Sequence, residues 1–173
     1  MAAKPKLFVL NKLPEAVEAR LKRDYDARLN ADDKTYAPDE IVQGAKVMDG
    51  IVTSPTTAVR AEVIGALDKS VRIIATFSVG FDHVDLAAAK ARGIAVTNTP
   101  EVLTDATADM AMLLLLAGAR RTYEGQKILR EGRWIGRRPT QLIGIGAQGK
   151  RLGLYGMGRI GQAVARRAKP FGF

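Results

Sequence analysis

The 173-residue chain carries 27 basic and 18 acidic side chains, a formal net charge of +9, and is 47% hydrophobic and 26% charged. This is the composition of a soluble globular protein, and the length suits one ordinary domain or one small domain plus part of another. With no cysteine, disulfides and thiolate chemistry are excluded, and a single histidine argues against a zinc site built on the usual Cys and His ligands.

The apolar run in the N-terminal MAAKPKLFVL is too short for a signal peptide, so the chain is read as cytoplasmic. From there, short apolar or β-branched runs alternate with helical patterns. Lys6 to Leu10, Ala27 to Leu29, Gly50 to Thr53, Arg72 to Phe77 and Ile94 to Thr97 predict five strands, several of them apolar on both faces as buried parallel strands are. Four helices are expected between them. The first opens at Pro14 and presents Val17 and Leu21. The second starts at Pro38 with Asp39 and Glu40 well placed in its first turn. Val59, Val63, Ala66 and Leu67 share a face of the third, and the fourth runs from about Asp85 to a glycine stop at Gly93. Strict strand–helix alternation predicts a parallel α/β sheet with helices on both faces, so residues 1–99 read as a five-stranded flavodoxin-like domain.

A second segment, 100–173, follows the Thr99-Pro100-Glu101 boundary. Thr104 or a neighbour caps a helix through Asp105, Thr107 and Asp109 into MAMLLLLAGARR. Met110 to Ala117 are apolar all round, which predicts burial on every side. The run is too short to span a bilayer, for which ~20 residues are needed. A helix this apolar suits a boundary between subunits, and a homodimer contact over Thr104 to Arg121 is expected. Tyr123 to Trp134 is amphipathic, and Gly136 to Gly149 reads as a connection loosened by Ile143-Gly144-Ile145-Gly146. An apolar run, Leu152 to Tyr155, then leads as a strand into Gly156, Gly158 and Gly161, after which Ile160, Ala163, Val164 and Ala168 fall at helical spacing up to Pro170. Strand, GxGxxG turn and helix in this order suit a dinucleotide pyrophosphate: the glycines allow the tight turn and close backbone approach, and the helix start offers unpaired N–H groups.

Charge is divided unevenly. Residues 1–119 hold 14 basic and 16 acidic side chains, whereas 120–173 hold 13 basic and 2 acidic. A basic nucleic-acid-binding module is the remote alternative, since few aromatics and no recognisable motif accompany the cations. Ligands of parallel sheets bind beyond the carboxyl ends of the strands. Two loops stand there, Thr53-Ser54-Pro55-Thr56-Thr57 and Ser78-Val79-Gly80-Phe81-Asp82, and the second could expose backbone N–H groups to a carboxylate or be a plain turn.

The segments SVGFDHVDL, ARGIAVTNTPEVLTDATADMAMLLLLAGARR, EGRW and GKRLGLYGMGRIGQAVARRAKPFG together resemble the D-isomer-specific 2-hydroxyacid dehydrogenases, closest to the glyoxylate and hydroxypyruvate reductase branch. The resemblance covers nearly the whole chain. It implies a flavodoxin-like substrate domain followed by the opening part of a Rossmann cofactor domain, with the active site in the cleft between the two and the apolar helix in a dimer interface. By the same resemblance Val79 and Gly80 hold a substrate carboxylate, with Ser54 at the rim. Thr107 lies near the cofactor, and Gly156, Gly158, Arg159, Ile160 and Gly161 form the pyrophosphate turn. The expected cofactor is NAD or NADP and the substrate a small 2-keto or 2-hydroxy acid. No nucleic acid and no membrane are expected as partners. The family's catalytic Arg, Glu and His match no residue of this chain, and His83 is read as a structural or rim residue. The expectation is therefore an oxidoreductase lineage in a truncated chain with little turnover of its own. The alternative is an inactive fragment that folds or dimerises.

Overall fold

The computed structural model describes residues 3–173; Met1 and Ala2, the start of the segment weighed as a signal peptide, lie outside the described residues. It divides into two compact units, Met1–Pro100 and Glu101–Phe173.

The first unit alternates β1 Lys6–Val9, α1 Glu15–Asp24, β2 Asp26–Arg28, α2 Pro38–Gly44, β3 Gly50–Thr53, α3 Ala61–Ala66, β4 Ile73–Thr76, α4 Leu86–Ala91 and β5 Ala95–Thr97. Its sheet is parallel with order β2-β1-β3-β4-β5, the flavodoxin-like arrangement whose switch point lies between β1 and β3. Because strand side chains alternate, register decides each face. Phe8, Ile51, Ile74 and Val96 align across four strands. They form the core with Ile41 of α2, Val63 and Ile64 of α3 and Ala89 of α4. Burying one such side chain as fully as Phe8 contributes about 1.5–3 kcal/mol. Gly44 lets α2 approach: a Cβ there would run into the Phe8 ring. On the opposite face α1 covers only part of the sheet. Leu13, Val17 and Leu21 face Leu7, Val52, Ile73 and Ala75 across an apolar cavity of about 630 Å³.

Local signals set the helix ends. Pro38 opens α2, and the Glu40 carboxylate accepts from the Ala37 N–H at 2.9 Å. Asp85 caps α4 by accepting from the Ala88 N–H at 2.8 Å, and Gly93 ends the following turn at φ +66°. The third helix differs from the sequence pattern at its start. Val59 stands outside α3, in an isolated parallel bridge with Val84, because its N–H donates to the His83 carbonyl at 2.8 Å.

In the second unit, α5 Thr104–Ala119 and α6 Thr122–Arg130 precede α7 Arg159–Ala168 and a 3-10 turn, Lys169–Phe171, that contains Pro170. The structure corrects five expectations in this unit. Thr104 begins α5 but does not cap it, for no side chain caps this helix. That helix is not buried on every side: only Ala108 and Met112 are buried, against Ala163, Val164 and Ala168, while Met110, Leu113 and Leu114 are exposed. Its neighbours α7 and α6 leave the rest of its surface uncovered. Of the predicted stripe on α7, Ile160, in the first turn of the helix, is 38% exposed, while Ala163, Val164 and Ala168 are buried.

Leu152 to Tyr155 do not form a strand. A strand needs a partner for its N–H and C=O groups, and the second unit offers none among the described residues. The in–out alternation survives without the ladder: Leu152 and Leu154 pack against the α5–α7 cluster, whereas Tyr155 is fully exposed. The connection before it is pinned rather than loosened. The Ile145 N–H donates to the Ala119 carbonyl at 2.7 Å, and a Cβ on Gly144 would meet that oxygen at 2.5 Å. Arg167 joins the two helices by ion pairs to Asp109 at 2.6 Å and Asp105 at 2.9 Å. No helix among the described residues is long and apolar enough to cross a membrane.

Candidate functional site

The carboxyl edge of the sheet is shaped by hydrogen bonds to carbonyl oxygens. In the Ser78-Val79-Gly80 loop the Thr99 N–H donates to the Ser78 carbonyl at 2.9 Å and Asn98 Nδ2 donates to the Val79 carbonyl at 2.8 Å. Ser78 Oγ donates to the Gly80 carbonyl at 2.6 Å. In a trans peptide the N–H points opposite to the C=O, so tying three successive carbonyls aims the N–H groups of Val79, Gly80 and Phe81 the other way. None of those three N–H groups has a partner among the described residues. Adjacent unpaired N–H groups at a strand end favour an anion without requiring a cation. Gly80 and Pro55, one from each candidate loop, line a cavity of about 270 Å³ together with Arg60, Asp82 and His83. Arg60 is tied to the Asp82 carbonyl at 2.6 Å.

Ser54 is engaged differently. Its N–H donates to Asn11 Oδ1 at 2.9 Å and its hydroxyl lies 2.9 Å from Thr56 Oγ1, so the first is held from beyond β1 and the second within its own loop. Asn11 directs that loop from the end of β1: its Nδ2 donates to Thr57 Oγ1 at 2.8 Å and Thr56 Oγ1 at 3.0 Å. Sequence reasoning missed Asn11 and Asn98. The signal available was an asparagine at the end of a strand-like run, KLFVLN and IAVTN, where the chain leaves the sheet and a side-chain amide can reach the neighbouring loops.

His83, buried at 7% exposure, places Nε2 2.7 Å from Thr76 Oγ1, which in turn lies 2.5 Å from Ser78 Oγ. Burial pushes the imidazole below its ordinary range and the Arg60 charge adds to this, while Asp82 opposes it. The ring is neutral at pH 7 and sits beneath the loop rather than in open solvent.

In the second unit the glycine turn keeps its geometry without its strand. Gly156 adopts φ +101°, a region that favours glycine, and a Cβ on Gly161 would collide with the Gly156 carbonyl. Gly158 is the extended residue before α7, and its carbonyl accepts the first helical bond, from the Gln162 N–H at 2.9 Å. The N–H groups of Arg159, Ile160 and Gly161 are left without partners among the described residues, as the first turn of a helix leaves them. Nothing blocks approach at Gly156 or Gly158, where an added Cβ would meet no atom within 4 Å. This cradle fits the pyrophosphate end of a dinucleotide. Arg159 points its guanidinium to Glu101 at 3.0 Å, so its backbone rather than its side chain faces the turn. Thr107 is exposed on α5, one residue before Ala108 at the α7 contact. Among the described residues no three His, Cys, Asp or Glu side chains group as metal ligands.

A parallel sheet with an N–H-lined loop at its carboxyl edge, in a chain that also carries a glycine turn opening a helix, defines an α/β protein equipped to hold anionic groups on backbone donors. Residues 7–168 match the family described as D-isomer specific 2-hydroxyacid dehydrogenase, catalytic domain, and the chain belongs to that family. It is 44% identical over 169 residues to a glycerate dehydrogenase of Hyphomicrobium methylovorum, covering 98% of this chain and 52% of the relative. It is 42% identical over 170 residues to a glyoxylate reductase of Korarchaeum cryptofilum, covering 98% and 51%. Among solved structures, a putative D-isomer specific 2-hydroxyacid dehydrogenase, NAD-binding, from Polaromonas sp. JS6 66 superposes with TM-score 0.91 at 44% identity, over 99% of this chain and 53% of that one. The chain thus spans about half the length of the relatives it matches.

Proposed function

We propose that this chain carries the substrate-carboxylate loop and the pyrophosphate turn of an NAD(P)-dependent oxidoreductase that interconverts a small 2-keto acid, of the glyoxylate or hydroxypyruvate type, and its 2-hydroxy acid. Residues 1–99 are assigned as the substrate domain and 100–173 as the opening part of the cofactor domain of a cytoplasmic enzyme. The observation that carries this reading is the Ser78-Val79-Gly80 loop, whose carbonyls are all engaged and whose N–H groups are not. Val79 and Gly80 receive the substrate carboxylate. Ser54 borders the pocket and acts chiefly by holding its loop in shape. Gly156, Gly158 and Gly161 keep side chains away from the diphosphate, the N–H groups of Arg159 and Ile160 bind it, and Thr107 stands on the nicotinamide side. The bound nicotinamide supplies or takes the hydride. The names of the similar glyoxylate reductase and glycerate dehydrogenase support the substrate class.

The 173 residues by themselves turn over little or nothing. Their one histidine is committed to Thr76, so no imidazole is free to move the proton that accompanies hydride transfer. The folded chain instead self-associates through α5, supported by the exposed apolar residues Met110, Leu113 and Leu114. Two measurements test the reading. Glyoxylate added to 15N-labelled protein is expected to shift the Val79 and Gly80 amides, and NADH or NADPH those of Arg159 and Ile160; unmoved amides at saturating ligand would refute it. Mixed with glyoxylate and either reduced cofactor, the chain should leave nicotinamide absorbance constant, and robust oxidation would overturn the claim of inactivity.

A further inference from the structure

We infer that His83 is a positioning residue for the Val79–Gly80 loop, acting through a one-way chain of hydrogen bonds that runs by way of Thr76 and Ser78 to the Gly80 carbonyl. The inference rests on the proposed carboxylate role of that loop.

The direction of the chain follows from which atoms can donate. The Gly80 carbonyl only accepts, so the Ser78 hydroxyl spends its proton on it at 2.6 Å. At the 2.5 Å contact between Ser78 Oγ and Thr76 Oγ1, Thr76 must therefore be the donor. With its proton used, Thr76 can only accept from His83, and the ring must carry its hydrogen on Nε2, 2.7 Å away. The arrangement thus selects one tautomer of a neutral ring, with Nδ1 the unprotonated nitrogen. The His83 backbone is anchored in turn, since its carbonyl accepts from the Val59 N–H at 2.8 Å.

The chain ends where the loop is softest. Gly80 has no Cβ and is flanked by two peptide planes that could swing about its Cα. Asn98 holds the plane before it by way of the Val79 carbonyl, and the His83 chain holds the plane after it by way of its own carbonyl. The first plane carries the Gly80 N–H and the second the Phe81 N–H, so holding both fixes the direction of each. Arg60 and Asp82 are the charged groups facing the ring, and neither joins the chain.

The test uses the full 173-residue protein. At about pH 7.5, above the ordinary imidazole range, 15N spectra of the ring are expected to show His83 protonated on Nε2. Ser78→Ala, which keeps the backbone and removes one link, should shift and broaden the Gly80 and Phe81 amides without ligand. It should also weaken the response of the Val79 and Gly80 amides to glyoxylate by about fivefold, the value of one lost hydrogen bond. His83→Leu should do the same, and His83→Gln, whose side-chain amide can donate toward Thr76, should restore both signals. An Nδ1-protonated ring, or Gly80 and Phe81 amides unmoved in Ser78→Ala, would overturn the inference. If these ligand-free signals behave as expected while glyoxylate shifts nothing in the unaltered protein, the positioning chain stands and the carboxylate assignment falls.

Discussion

Two asparagines and one histidine shape the carboxyl edge of the sheet: Asn11 accepts from the Ser54 N–H, Asn98 donates to the Val79 carbonyl, and His83 meets the Thr76 hydroxyl. Asn11 also donates to the Thr56 and Thr57 hydroxyls, so that it and Asn98 tie down the loops beyond the strand ends. His83 is the group that makes this edge sensitive to pH. Its proton is disfavoured in the folded state, chiefly by burial. The unfolded chain binds that proton near the ordinary value of about 6.5, so the folded state keeps its full stability above that pH and loses some as pH falls from there toward the lowered folded value. The carboxyls of Asp49 and Asp68 are held below their ordinary range by backbone N–H groups of Lys6 and Ser70, so their loss of stability comes only at more acid pH. As His83 is the one histidine, thermal midpoints are expected to fall between about pH 7 and pH 5 in the unaltered protein and to stay level in His83→Gln. A slope that persists in the variant would assign the effect elsewhere.

The helices depend on caps and close approaches that reach beyond their own sequence. Arg92 donates to the carbonyls of Ile64, Gly65 and Leu67 at 2.7 to 2.9 Å, closing the C-terminus of α3 from the end of α4. A cation meeting the last carbonyls of a helix also suits its dipole. Arg92→Ala is expected to lower stability in urea titrations by about 1–2 kcal/mol, with Arg92→Lys intermediate; a loss below about 0.5 kcal/mol would show the cap to be idle. In the second unit the contact of Gly161 with the Gly156 carbonyl leaves no room for a methyl group. Gly161→Ala should force the start of α7 outward at about 1–3 kcal/mol, the usual cost of overpacking. Hydrogen exchange at α7 amides should then quicken while β1 and β3 keep their protection, and unchanged α7 exchange would contradict the close contact.

Across the full chain, charge and apolar surface are both distributed unevenly. The excess of cations in 120–173 is partly offset by ion pairs, Arg121 with Glu124, Lys127 and Arg133 with Glu131, Arg159 with Glu101 and Arg167 with Asp105 and Asp109. Exposed pairs of this kind add little stability. The apolar side of α5 has no such balance. Leu113 and Leu114 are 58% and 65% exposed, a costly arrangement for adjacent leucines in water. Sedimentation at micromolar concentration should give twice the 18.7 kDa chain mass. The double substitution Leu113→Lys/Leu114→Lys should give the single mass with the sheet intact. A monomer in the unaltered protein would end the dimer proposal.

Periodicity was enough to read the first unit. Short, nearly continuous apolar runs such as KLFVL, GIVT and RIIATF announce buried strands, Pro38 and Asp85 announce helix starts, and alternation of the two element types makes the sheet parallel, because these signals are local and hydrogen bonding follows from them. The same signals misjudged Leu152 to Tyr155 and α5, for a strand exists only where a neighbouring strand accepts its bonds, and a helix is buried only on the side that something covers. The glycine spacing of the turn was legible, since positive φ and close approach both demand glycine. The links of Asn11 to Thr57, Asn98 to Val79 and His83 to Thr76 were not. Two of them join residues far apart in the chain, and in all three the choice of partner depends on where the folded strands end.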